Sequence, residues 1–157
     1  MKKCFLIARS HKNIFIYVRI HHKPLLLSKN NSVRNFKRYY SIPAEPKDIY
    51  NALTNKNMLE IWTGEEAVME PVRGTEFSLW GGSISGVNLE FEENRKIVQQ
   101  WFFGEQEEPS VVTIILHPDK RGTSVELRHT NIPDEAFENI ADGWDADYFM
   151  ALRELFI

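Results

Sequence analysis

This sequence is poor in cysteine, and its first 44 residues contain no acidic side chain. Cys4 is the only cysteine, so neither an intramolecular disulfide nor a metal site built on thiolates can form, and a reducing compartment is expected. Residues 1–44 carry ten Lys and Arg, whereas residues 45–157 carry nine against twenty-two Asp and Glu, a net charge of −13. Nucleic-acid binding depends on cations that neutralise phosphates. The acidic body of the chain therefore argues against nucleic acid as a partner.

The N-terminal segment also lacks a long hydrophobic run. Its two apolar stretches, residues 4–8 and 14–18, are shorter than a signal-peptide core or a membrane span. We therefore expect residues 1–35 to be a basic extension that is disordered or translated from upstream of the natural start. We expect residues 36–157 to form one domain. The protein is expected to be located in the cytoplasm. A mitochondrial transit peptide is the alternative, because the extension is basic and free of acidic residues.

The hydrophobic periodicity of residues 36–157 predicts an α+β domain. Residues 36–42 alternate as a first strand, Pro46 suits the first turn of a helix, and a second short helix carrying Trp62 stops at Gly64. Beyond this point the period changes to two, with Gly, Asn, Pro or Asp turns between segments of strand length. The predicted strands are residues 75–79, 84–91, 97–103, 110–117 and 123–130, with residues 67–70 as a weaker candidate.

The C-terminal residues predict a helix with one broad apolar face. It begins at Pro133, is interrupted at Gly143, and carries apolar side chains at positions 144, 148, 152 and 155. In the preceding strand, every second residue from Thr123 to His129 is expected to face the interior, and the residues between them to face water. Both surfaces are buried if a curved antiparallel sheet wraps around this long helix and the two short helices close one end.

Glycine and tryptophan positions along the domain form a series of landmarks. They are Ser41-Ile42-Pro43-Ala44, Trp62-Thr63-Gly64, Gly74-Thr75-Glu76-Phe77, Gly86, Trp101, Gly122-Thr123-Ser124 and Gly143-Trp144. In this order the chain from Phe36 resembles the stand-alone version of the C-terminal domain in activators of the heat-shock-protein-90 ATPase. That Aha-type family belongs to the START-like, or SRPBCC, superfamily. The resemblance implies a helix-grip fold of the START/Bet v type.

The same resemblance implies a cavity for a small hydrophobic molecule between the sheet and the C-terminal helix, as superfamily relatives commonly have. Pockets of that kind measure roughly 300 to 1,000 Å³. The alternative is that the same bulky side chains simply fill an ordinary core. The residues expected to line the cavity are Trp62, Phe77, Leu79, Trp101, Phe103, Leu127, His129, Trp144, Tyr148 and Leu152.

His129 is the one titratable side chain expected on the inner face of the last strand. A role as general base would require a carboxylate partner, and its strand offers none on that face. We therefore expect a core histidine that is bonded to the backbone or to Tyr148. No catalytic residue and no cofactor is predicted.

Other polar groups and glycines give little sign of chemistry. Carboxylates in two acidic clusters lack a His or Cys partner at ligand spacing, so no metal site is predicted. Both clusters are expected to lie on the solvated surface. His117 is expected to be solvated as well. Gly81-Gly82 and Gly86 are expected at a hairpin and a bulge, because no helix with Lys-Ser or Lys-Thr follows them. The acidic clusters are Asp145 with Asp147, and Glu105 with Glu107 and Glu108.

Three functions stay open. The first is a non-catalytic domain that binds a small hydrophobic molecule in its cavity. The second is a chaperone accessory protein (co-chaperone) that binds heat-shock protein 90 through an acidic surface. The third is an enzyme of the cyclase or hydrolase kind, with His129 or Tyr148 as acid or base. A continuous cavity favours the first and third functions, and a filled core favours the second.

Overall fold

The computed structural model describes residues 7–10, 14–17 and 32–157. Strands β1 (Ile7–Ser10) and β2 (Ile14–Tyr17) pair antiparallel in a sheet of their own. Most of the predicted extension over residues 1–35 lies outside the described residues, so its disorder stays a prediction. The first strand of the domain, β3 (Val33–Ile42), begins three residues earlier than the expected start at Phe36.

Six antiparallel strands form the main sheet in the order β3-β8-β7-β6-β5-β4. Each predicted hairpin partner is the observed neighbour, and the predicted strands are confirmed with ends that differ by at most three residues. The candidate strand at residues 67–70 is reduced to one bridge between Val68 and Ser78. The remaining strands are β4 (Glu76–Leu79), β5 (Ile84–Glu92), β6 (Lys96–Trp101), β7 (Ser110–Asp119) and β8 (Gly122–Pro133).

Gly86 lies where its strand comes very close to the neighbouring strand, whereas the sequence suggested a bulge there. A Cβ on Gly86 would stand 1.8 Å from the carbonyl oxygen of Gln100 and 2.8 Å from the Phe77 ring. The bulge in β5 lies between Asn88 and Glu90 instead. The expectation of a bulge at Gly86 was therefore wrong, and glycine is needed there because the facing backbone leaves no room for a side chain.

Two short helices follow β3, as predicted. Helix α1 covers Pro46–Thr54 and helix α2 covers Lys56–Thr63. Asn55 caps α2 through its side-chain oxygen, and Gly64 ends it in the left-handed conformation that glycine adopts without strain. The indole Nε1 of Trp62 donates to the carbonyl of Ala52 at 2.9 Å. This bond joins α2 to α1.

The C-terminal helix changes pitch where an interruption was expected. Helix α3 (Asp134–Gly143) leads into a π-helical segment (Trp144–Phe149) and then into helix α4 (Met150–Glu154). Gly143 has ordinary helical dihedral angles, so it does not break the helix. The apolar stripe is buried against the sheet, and the Trp144 ring lies 4.7 Å from the Trp101 ring of β6. The predicted sheet around a C-terminal helix is confirmed.

The last strand shows the expected inner face but a different outer face. Its inward residues from Thr123 to His129 are buried, as predicted. Glu126 points to the other side, yet its side chain is only 5% exposed because Lys37, His117 and Arg128 surround it. Hydrogen bonds from these partners hold the pKa of Glu126 at about 2. The outer face is therefore a layer of ion pairs rather than simply solvated surface.

The described part of the chain was also searched for membrane-spanning helices and for clusters of metal-binding side chains. None of its helices is both long enough and apolar enough to cross a membrane. Within the same residues no group of three or more His, Cys, Asp or Glu side chains is arranged to hold a metal ion.

Candidate functional site

The residues predicted to line a ligand cavity lie together between the sheet and the C-terminal helix. All are buried except Phe103, which is partly buried and packs against the same cluster. Helix residues Trp144 and Tyr148 have ring centroids 4.6 Å apart, and Tyr148 in turn lies 5.0 Å from Trp62 of α2. The structure thus brings together aromatic residues that are far apart in the sequence.

Trp144 and Ser110 hold His129 from both sides. The indole Nε1 of Trp144 donates to His129 Nδ1 at 3.1 Å, and an indole nitrogen can only donate. The proton of the neutral imidazole must therefore sit on Nε2, which donates to Ser110 Oγ at 2.9 Å. The Ser110 hydroxyl in turn donates a hydrogen bond to the carbonyl of Thr130 at 3.1 Å. The expected partner, Tyr148 or the backbone, is replaced by these two side chains.

This arrangement leaves His129 without a free lone pair. Burial lowers its pKa to about 3, because no carboxylate compensates for the desolvation of an imidazolium. A general base needs an accessible lone pair and a pKa near the working pH. His129 therefore acts as a structural link between β8, β7 and the C-terminal helix. Ser110 was missed by the sequence reasoning, although the alternation of β7 places it on the inner face.

A second buried polar chain crosses β5 and β6 and was also missed. Gln99 Nε2 donates to Asn88 Oδ1 at 2.9 Å, and Trp101 Nε1 approaches Gln99 Oε1 at 3.4 Å. Asn88 Nδ2 continues to Thr75 Oγ1 and to the carbonyl of Glu70, both at 3.1 Å. These bonds satisfy the buried amides and tie the segment before β4 to the sheet. The same period of two that placed Trp101 inward also places Gln99 there.

Asp145 is another residue that the structure places differently from expectation. Its carboxylate accepts a hydrogen bond from the Tyr40 hydroxyl at 2.6 Å and pairs with the guanidinium of Arg38. The Tyr40 ring stacks on Phe149 with centroids 3.8 Å apart. Burial and the neighbouring carboxylate both raise the pKa of Tyr40. Asp145 thus joins the C-terminal helix to β3, whereas the acidic residues near position 105 are exposed as predicted.

A small cavity lies where the α3–π junction meets the end of the sheet. Its volume is about 30 Å³, which is enough for a water-sized group but far below the roughly 300 Å³ of the smallest typical ligand pockets. Three of the predicted lining residues border it: Trp101, Trp144 and Tyr148. The ligand-lining role of the whole set stays a prediction. The other bordering residues are Trp80, Ile84, Asn139, Ile140, Gly143 and Asp147.

Tyr148 gives this cavity a polar group. Its side chain is 95% buried, and its hydroxyl makes no hydrogen bond within residues 32–157. No fully enclosed side-chain nitrogen or oxygen of the described residues lacks a hydrogen-bond partner. Tyr148 itself borders the cavity. Burial alone raises the pKa of Tyr148, so the hydroxyl keeps its proton at neutral pH.

Comparison with known proteins agrees with this architecture. The family model described as Activator of Hsp90 ATPase homolog 1-like protein matches residues 43–156. An HSP90 activator from Plasmodium falciparum, known from its crystal structure, superposes with a TM-score of 0.70 at 26% identity, over 77% of this chain and 94% of that one.

Two curated relatives place the match within longer proteins. An Activator of 90 kDa heat shock protein ATPase homolog from Dictyostelium discoideum is 33% identical over 132 residues, which are 82% of this chain and 34% of the relative. The human homolog 1 is 28% identical over 113 residues, 71% of this chain and 33% of the relative. The chain spans about a third of the length of these relatives. By its fold and by the family match over residues 43–156, the chain belongs to the Activator of Hsp90 ATPase homolog 1-like family.

Proposed function

We propose that this chain is a non-catalytic domain that binds the 90-kDa heat-shock protein through its surface. The observation that carries this proposal is the packed interior. The cavity beside the C-terminal helix measures about 30 Å³, so most of the space that would hold a lipid-sized ligand is occupied by side chains. With so little space beside the C-terminal helix in the described part of the chain, the outer surface is left for recognition.

The polar groups of the interior support a non-catalytic role. Both ring nitrogens of His129 are engaged by Trp144 and Ser110. The amides of Asn88 and Gln99 bond to each other. The Tyr148 hydroxyl holds its proton because burial raises its pKa. An acid–base pair in hydrogen-bond reach of a shared substrate position is the usual requirement for proton-transfer catalysis, and these groups do not form one.

The charge of the domain and the names of its relatives support the choice of partner. Residues 45–157 carry a net charge of −13, which favours a basic patch on the partner. Relatives from Dictyostelium discoideum and Homo sapiens are named as activators of the 90-kDa heat-shock-protein ATPase. We propose the same partner for this chain, with association driven largely by opposite charges.

Binding of the full chain to purified 90-kDa heat-shock protein tests the proposal. Isothermal titration is carried out at 50 mM and at 300 mM KCl, with ATP hydrolysis measured on the same samples. We expect binding that weakens about tenfold or more at the higher salt, because screening shortens the range of the attraction. An unrelated acidic protein of equal net charge is the control. Absence of binding at 50 mM KCl, or equal binding by the control, would contradict the proposal.

Binding of a small hydrophobic molecule is the second candidate. Its support is the aromatic lining, in which Tyr148 also carries a hydroxyl group. The cavity would have to widen about tenfold to reach the usual ligand-pocket volume. Native mass spectrometry of protein purified from its own host is the measurement. A stoichiometric bound molecule would favour this candidate over the first.

A further inference from the structure

Strand β3 forms an edge of the main sheet, and within the described residues no further strand lies beyond it. The strand is ten residues long, Val33–Ile42, and it pairs with β8 alone. Strands β1 and β2 form a separate sheet, and β1 contacts helix α3. A free edge presents a row of unpaired backbone N–H and C=O groups, which is a template for one more strand.

One hydrogen bond shows which residues of β3 point these groups outward. The backbone N–H of Leu116 in β7 donates to the carbonyl of Arg95, beside β6, at 2.8 Å. Because backbone groups alternate in direction along an antiparallel strand, the neighbouring residue Ile115 bonds to Glu126 of β8. The backbone groups of Glu126 thus face β7, and Tyr39, which lies opposite Glu126, points its own groups away from the sheet. The outward residues of β3 are Lys37, Tyr39 and Ser41.

We propose that this edge binds the same edge of a second copy of the chain. The two β3 strands run antiparallel about a two-fold axis beside Tyr39, so that the two main sheets join into one continuous sheet. Tyr39 then lies opposite the second copy's Tyr39, and Lys37 lies opposite the second copy's Ser41. Each copy contributes the same surface, which is the usual geometry of a homodimer.

The side chains of β3 select this register. An axis at Arg38 places two guanidinium groups directly opposite each other, which is unfavourable. An axis at Tyr40 places Lys37 opposite Pro43, which has no backbone N–H to donate. With the axis at Tyr39, no like charges are opposed and two aromatic rings form a cross-strand pair. Three residue pairs then exchange about six backbone hydrogen bonds.

The charge of this edge permits self-association, although residues 45–157 are acidic as a whole. Opposed edges meet without a large net charge, because each of three cations of β3 is paired with a carboxylate of its own chain. These pairs are Arg34 with Glu138, Lys37 with Glu126, and Arg38 with Asp145. Lysine often protects edge strands from pairing. Here Lys37 Nζ is held over its own sheet by Glu126 Oε1 at 3.3 Å, so the edge stays open.

The exposure of Tyr39 and the small area of the contact set the expected strength. Tyr39 is 55% exposed in the single chain and lies at the centre of the pairing, where tyrosine is a frequent anchor. One strand pairing buries less surface than the roughly 1,200 to 2,000 Å² of a stable interface. We therefore expect a weak dimer with a Kd on the order of 10 to 100 µM.

Sedimentation velocity of the full chain tests the proposal. We expect a monomer–dimer equilibrium between about 5 and about 500 µM. Tyr39→Lys places like charges across the two-fold axis and should weaken dimerisation at least tenfold. The new cation lies opposite Glu126 within the chain, so the fold keeps its charge balance.

Gln100→Lys is the matched control, because it adds the same charge to the same face of the sheet three strands away from β3. It should leave the Kd within about twofold of the unmodified value. A chain that stays monomeric at about 500 µM, or a Tyr39→Lys variant that dimerises as well as the unmodified chain, would overturn the proposal.

Cysteine cross-linking tests the register, in a Cys4→Ser background and with oxidised glutathione as the oxidant. Opposite residues of a hydrogen-bonded pair have Cα atoms about 5.5 Å apart, which suits a disulfide. Tyr39→Cys should therefore cross-link to its own second copy. Lys37→Cys and Ser41→Cys should each remain monomeric alone and cross-link when they are mixed. Equally fast cross-linking of either variant alone would contradict the pairing about Tyr39.

The 90-kDa heat-shock protein is the other candidate occupant of the edge, and Tyr39→Lys distinguishes the two. If the unmodified chain is monomeric and Tyr39→Lys weakens binding to the heat-shock protein, an extended segment of that protein occupies the edge and the second-copy proposal is wrong. If the chain dimerises and Tyr39→Lys binds the heat-shock protein as the unmodified chain does, the dimer contact is supported as a separate surface.

Discussion

Acid should destabilise this domain through His129 before any buried carboxylate is protonated. Burial lowers the pKa of His129 from 6.5 to about 3 in the folded state. A group whose folded pKa is depressed stabilises the fold fully above its unfolded pKa, and the stabilisation is lost as the pH falls toward the folded pKa. The affected window is therefore pH 6.5 down to about pH 3.

The size of the effect follows from the two pKa values. Each pH unit below 6.5 lowers the free energy of unfolding by about 1.4 kcal/mol, so pH 5 costs about 2 kcal/mol relative to neutral pH. Glu126 also titrates with a lowered folded pKa, but its unfolded value of 4.5 places most of its effect below pH 5. Measurements between pH 7.5 and pH 5 therefore report mainly on the histidine.

Urea unfolding followed by tryptophan fluorescence at pH 7.5, 6 and 5 measures this loss. His129→Gln is the matched variant, because an amide offers a donor and an acceptor but does not titrate in this range. We expect the variant to be less stable at pH 7.5, yet to lose about 2 kcal/mol less than the unmodified chain on going to pH 5. All other titrating groups cancel in this comparison. Equal losses in the two proteins would refute the assignment of the pH dependence to His129.

Three further changes test other parts of the structure. Gly86→Ala should destabilise the fold by about 3 kcal/mol or more in urea unfolding, because the new methyl group meets facing backbone, whereas Gly64→Ala should cost about 1 kcal/mol from its positive φ alone. Similar losses of stability in Gly86→Ala and Gly64→Ala would contradict a close approach of the backbone at Gly86. Tyr40→Phe should cost about 1 to 2 kcal/mol and Tyr39→Phe, on the exposed side, close to nothing. Removing residues 1–31 takes away β1, which contacts α3, and should shift the melting temperature by no more than about 2 °C if the domain folds independently of that contact; a larger drop would show that the contact stabilises the domain.

Local patterns were enough to predict most of the architecture. The period of two and the Gly, Asn and Pro turns predicted all six strands of the sheet to within a few residues, because a half-buried strand must alternate and a hairpin must turn. Pro46 and Gly64 marked the ends of the two short helices for equally local reasons. Gly86 was recognised as special but explained wrongly, because a close approach depends on the strand that lies opposite.

The candidate site was predictable only in part. Alternation and helical spacing correctly placed Trp101, Trp144 and Tyr148 in one interior. The same patterns carry no information about how much space remains between such side chains, since packing density depends on all of them at once. The small volume of the cavity beside the C-terminal helix, on which the proposed function depends, could therefore be learned only from the tertiary structure.

The amino-acid sequence by itself determined which residues face inward, where the chain turns, and how charge divides between the N-terminal segment and the acidic body. Only the tertiary structure decided which polar groups are partnered. Trp144 bonds to His129, and the carboxylate of Asp145 reaches Tyr40 of β3. The physical reason is that periodicity acts over a few residues, whereas a hydrogen bond needs two atoms within about 3 Å, and that distance is set by how whole elements pack.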